Sequence, residues 1–191
     1  NPRAVTLRHH VDAIMRAALR AFCDEAPEAY FAVLPHEFGA RLLGLADHYG
    51  NPAQRVHLRR LISVAPATYA WAEFSPVELL DMVAEIARGL RLRDKAYTSV
   101  YVLIDQVDEA AGGPTAACDL LRSLVSNVSV LSRPGLAFKF FLPREIGDDL
   151  LTILGPRRDR FVVEEIEWDQ GSLLALLQAR ITYYSNTYRK E

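Results

Sequence analysis

Cysteine, lysine and long apolar runs are all scarce in this 191-residue sequence. Its two cysteines, Cys23 and Cys118, are too few for a disulfide framework or a zinc site. Cys118 shares a helical face with Leu121 and Val125, which predicts a buried thiol. Lysine occurs only at Lys95, Lys139 and Lys190, so arginine carries nearly all the positive charge. No run is apolar for long enough to cross a bilayer, and no stretch has the pattern of a signal peptide. A formal charge of −2 argues against a nucleic-acid binder that works by bulk electrostatics. His9 and His10 are adjacent and face different ways on a helix, and His36, His48 and His57 have no ligand spacing. No serine or cysteine sits in a nucleophile elbow. What remains is a chain that is 50% hydrophobic and 24% charged, enough for one domain with a real core, or for one domain plus an accessory lobe. A reducing, cytoplasmic setting is expected.

Helical spacing governs the first ninety or so residues. Leu7, Val11, Ile14, Met15, Ala18, Leu19 and Phe22 predict a long first helix, and Pro27 and Pro35 bracket a short second segment. Phe38, Leu42, Leu45 and Ala46 mark a third helix that stops at Gly50. Asn51 is placed to cap the next, with Pro52 in its first turn. The string Ser75-Pro76-Val77-Glu78 predicts a capping box that opens a helix burying Leu79, Leu80, Met82, Val83, Ile86 and Leu90. Tyr69 to Phe74 fits either a short strand or a tight connection. Trp71 and Trp168 are read as packing residues.

Near Tyr97 the pattern changes. Val100-Tyr101-Val102-Leu103-Ile104 is a continuous apolar run that ends in acids, as in a strand buried on both faces of a parallel sheet. Gly112-Gly113-Pro114 leads into a helix with Leu120, Leu121, Leu124 and Val125. Further strands are expected at Leu136 to Leu142 and Arg160 to Ile166, with a short helix around Asp149 to Leu154 between them. Asp169 opens a closing helix through Leu173, Leu174, Leu177 and Ile181. This alternation predicts an α/β fold with a parallel sheet.

The chemistry-bearing segment is Asp105-Gln106-Val107-Asp108-Glu109, directly after the first strand. Ligands gather at the carboxyl ends of parallel strands. A carboxylate at Asp105 is suited to the waters around Mg²⁺ on nucleotide phosphates, and Asp108 or Glu109 to polarising an attacking water. The bland reading of the same acids is a solvated turn after a core strand.

An apolar strand followed by Asp-x-x-Asp-Glu resembles the Walker B motif of STAND, NACHT-like and related AAA-type (ASCE) P-loop ATPases. The later elements come in that family's order over roughly Thr98 to Asn186. Leu136 to Arg144 looks like the next core strand, and the resemblance makes Arg144 its polar sensor. The stretch from Arg160 onward, with the helix carrying Arg180, resembles the last core strand and the helix towards the lid. The resemblance thus implies catalytic roles for Glu109 and Asp108, Mg²⁺ handling through water by Asp105, and nucleotide sensing by Arg144 and Arg180. A surface ion pair with Glu145 or Asp148 is the simpler assignment for Arg144, and an ion pair accounts equally simply for Arg180. Arg157, Arg158 and Arg160 could serve as a finger to a neighbouring subunit, although a solvated basic loop is the simpler assignment.

One departure from the family is severe. No Gly-x-x-x-x-Gly-Lys-[Ser/Thr] string exists in the chain, so nothing in it cradles phosphate. Gly112-Gly113 lacks the lysine and follows the Walker B strand, and Lys139 lies inside a strand. In the family order the loop would precede residue 1. Residues 1–95 would then be a helical lobe between the two Walker motifs, and residues 96–191 the carboxyl-terminal half of a P-loop NTPase core. The expectation is a piece of an ATP-driven signalling or conflict-response switch. It would act as an ATPase only within a longer parent, carry Mg²⁺ with ATP only there, and partner the missing P-loop segment, with self-association open. The alternative is a protein-interaction module with a degenerate nucleotide-binding core. A Mg²⁺-dependent phosphoryl or nucleic-acid enzyme is weaker, because all the acids come from one strand end.

Overall fold

A computed structural model describes residues 5–92, 95–167 and 169–188. Trp168 lies outside the described residues. Five helices open the chain: α1 (Leu7–Glu25), α2 (Glu28–Ala32), α3 (His36–Tyr49), α4 (Pro52–Leu61) and α5 (Pro76–Gly89). Their boundaries are set by the residues that the spacing singles out. Gln54 N–H donates to Asn51 Oδ1 at 2.9 Å and Asn51 N–H to Gln54 Oε1 at 3.0 Å, which satisfies two of the amides exposed at the start of α4. Ser75 and Glu78 exchange the same pair of bonds at 3.3 and 2.7 Å to start α5. The buried side of α1 is Val11, Ile14, Met15, Ala18, Leu19 and Phe22. Tyr69 to Phe74 forms a tight connection ending in a turn, with Trp71 buried among Tyr49, Tyr69 and Phe74 and stacked on His48 at 5.2 Å.

A two-residue antiparallel pair, β1 (Arg91–Leu92) with β2 (Lys95–Ala96), precedes a second sheet. That sheet is β3 (Val100–Ile104) paired in parallel with β4 (Leu136–Phe140), with Val100 opposite Leu136 and Ile104 opposite Phe140. The connection between them runs through α6 (Val107–Ala111), α7 (Pro114–Val125) and α8 (Val128–Leu131). Val100, Val102 and Ile104, with Leu136, Phe138 and Phe140, pack on the helical core. Gly135, just before β4, has φ +82, a conformation that favours glycine, and its carbonyl accepts from Val100 N–H at 2.8 Å. The adjacent Arg133 forks onto Asp81 of α5, Nε to Oδ1 at 2.8 Å, and ties that turn to the helical lobe.

The chain is therefore α/β in the coarse sense, mostly helical with a small parallel sheet. Three expectations need correction. First, β3 is not buried on both faces: Tyr101 and Leu103 point away from the core and are 59% and 62% exposed. An apolar run shows that a strand can be covered twice, but not that the second cover is present. Second, no strand forms over Arg160 to Ile166 among the described residues. Gly155–Arg160 is a 3₁₀ turn, residues 161–167 have no ladder partner, and Val162 is 91% exposed. Third, α9 runs from Arg144 to Leu154, so Arg144 opens a helix rather than ending a strand.

Packing separates two compact units, divided after Gly155. In the first unit, one apolar cluster runs from Val11 on α1 through α3 and α5 to Leu136 on β4, so the helices and the sheet share a core. The second unit holds the end of the 3₁₀ turn and α10 (Gln170–Tyr188). Asp169 caps α10 by accepting from Ser172 N–H at 2.6 Å. Leu173, Leu174, Leu177 and Ile181 on this helix are all exposed. No described helix is long and apolar enough to cross a membrane.

Candidate functional site

The last ladder bond of the sheet runs from Phe141 N–H to Ile104 O at 2.8 Å. Both strands end there, at one edge. Asp105 is the first residue beyond β3, and its carboxylate is exposed, with Oδ1 accepting from Gln106 N–H at 2.8 Å. Gln106 sits in the left-handed region at φ 55, ψ 30, and it is the only non-glycine residue there among those described. This turn swings the chain directly into α6. Asp108 and Glu109 occupy the first turn of α6, Asp108 half-buried and Glu109 exposed, where negative charge suits the amide end of a helix. Val107 is the buried anchor that fixes their direction.

On the β4 side, Leu142 and Pro143 lead from the strand to Arg144 at the start of α9. Arg144 is exposed, and its Nε lies 4.0 Å from Asp148 Oδ2, one turn along the same helix. Arg180 is an exposed residue of α10, in the second unit. Arg157, Arg158 and Arg160 are exposed on the 3₁₀ turn. Parallel pairing therefore brings the acidic turn and the segment leading to Arg144 to one sheet edge.

Gly112 and Gly113 show what their pair of amides is used for. Both donate to Asp108 O, at 3.0 and 3.1 Å, and so close α6, after which Pro114 opens α7. They form a helix cap and offer no phosphate cradle.

The donor chemistry fits part of a Mg²⁺–nucleotide site. Such a site uses one or two protein carboxylates, with waters and phosphate oxygens completing the shell. The exposed Asp105 carboxylate at a strand end meets that need, with Oδ1 steadied by the Gln106 amide. No three His, Cys, Asp or Glu side chains among the described residues converge as an all-protein metal cage would. The phosphate side of a nucleotide site would have to come from residues other than these.

Gln106 escapes a sequence reading, because glutamine carries no signal for left-handed backbone. The bare outer face of the sheet escapes it as well. There Lys139 holds its ammonium 5.0 Å from the centre of the Tyr101 ring, beside the exposed Leu103. A shallow groove lies elsewhere, between the start of α3 and the end of α5. It is lined by Phe38, Arg41, Glu85 and Arg88, with Arg41 and Glu85 paired across it. None of the candidate residues lines it. Both cysteines sit where the thiolate is disfavoured. Burial, with the Asp149 carboxylate nearby, pushes the Cys118 thiol up, and burial pushes Cys23 up to about 11.

Compared with protein-family models, with curated proteins and with solved structures, the chain matches none.

Proposed function

We propose that this chain is the Walker B-bearing part of a STAND-like, AAA-type P-loop ATPase, a signalling or conflict-response switch whose parent protein supplies the phosphate-binding loop. The observation that carries the reading is the register of the sheet. Ile104 lies opposite Phe140, so the acids after β3 and the residues before α9 leave two adjacent parallel strands at one edge. Carboxyl edges of parallel strands are where such folds place nucleotide chemistry. The uncovered sheet face adds support, because parallel sheets are ordinarily covered on both sides.

In this reading Asp105 would hold Mg²⁺ through water. Glu109, exposed on the first turn of α6, accepts a proton from an attacking water, and Asp108 beside it orients that water or shares the role. Arg144 senses phosphate charge. Mg²⁺ bound with ATP would supply neutralisation of the charge that develops on the phosphates.

A second reading has its own observation. The exposed apolar side chains Tyr101, Leu103 and Phe141 on the sheet, and Leu173, Leu174 and Leu177 on α10, also suit a protein-interaction module with a vestigial nucleotide core. The two readings separate in the gene that encodes the chain. A Gly-x-x-x-x-Gly-Lys-[Ser/Thr] loop encoded upstream supports the switch, and its absence leaves the interaction module. For the isolated chain, calorimetric titration with ATP–Mg²⁺ is expected to show no micromolar binding, because no residue here cradles phosphate. Micromolar or tighter affinity would contradict the assignment of the missing loop to the parent.

A further inference from the structure

We draw no further inference here: the strongest candidate, the uncovered face of the β3–β4 sheet around Tyr101, Leu103 and Lys139, is apolar and open, but nothing in the structure shows what covers it.

Discussion

Gln106 holds the acidic turn in shape at a local cost. A left-handed conformation costs an ordinary residue about 1 kcal/mol, and a β-branched one more. Gln106→Val is therefore expected to lower the stability of the isolated chain by about 1–2 kcal/mol, whereas Gln106→Gly should leave it unchanged or slightly raised. Urea midpoints for the two variants check this, and equal losses in both would mean that the backbone at 106 is not the constraint. Function at this turn is tested in the parent protein. Glu109→Gln should preserve nucleotide binding and slow hydrolysis by roughly 10²–10⁴-fold, the usual cost of losing a general base. Asp105→Asn should instead weaken Mg²⁺-dependent nucleotide binding, because an amide lacks the charge that holds the ion's hydration shell. Asp108→Gln belongs in the same set, since either acid of the pair can orient the water. If steady-state rates and nucleotide affinities of all three variants match the unsubstituted parent, the acids form a solvated turn and the Walker B assignment fails.

Elements were legible where local chemistry decides them. The caps at Asn51 and Ser75 and the buried side of α1 follow from side chains within one or two turns of each other. Elements that depend on distant partners were legible only in part: the apolar runs at 100 and 136 do pair in parallel. Residues 160–166 have a strand-like composition, yet a strand exists only where another chain segment completes its ladder, and none does among the described residues. The acids at Asp105, Asp108 and Glu109 stood out in the sequence, but the turn that aims them did not. One contact between elements sets a pH dependence. His10 on α1 lies 2.8 Å from the carbonyl oxygen of Leu120 on α7, Nε2 to O, and burial lowers its pKa below the ordinary value of about 6.5. Burial outweighs the opposing effect of that hydrogen bond, and the neighbouring His9 lowers the value further. The unfolded chain then binds this proton more readily than the folded one. Stability from His10 is complete above about pH 6.5 and falls as the pH drops below it. Urea midpoints between pH 7.5 and 5 should decline more steeply for the unsubstituted chain than for His10→Gln, which keeps a donor and cannot charge. Parallel profiles would show that His10 titrates alike in both states.

At the scale of the whole molecule, the sheet has one covered face and one open face. Two parallel strands present an apolar inner face to the helical core and an outer face to solvent, where Leu103 is 62% exposed. If the chain is part of a larger nucleotide-binding core, another layer covers that outer face in the parent. The consequence is measurable with one substitution in two settings. In the isolated chain, Leu103→Lys should change stability by no more than about 0.5 kcal/mol, as an exposed substitution does. Val102→Lys is the control. It places a charge on the inner face, where Val102 packs against the core, and should cost at least about 2 kcal/mol. In the parent, a covered Leu103 would lose its buried contacts and leave an ammonium among apolar atoms, so Leu103→Lys should there cost about 2–3 kcal/mol. Denaturation midpoints of these three variants against their unsubstituted counterparts separate the outcomes. A silent Leu103→Lys in both settings would show that no second layer exists, and the partial-core reading would then lose its structural support. A large cost already present in the isolated chain would mean that the face is covered without any parent.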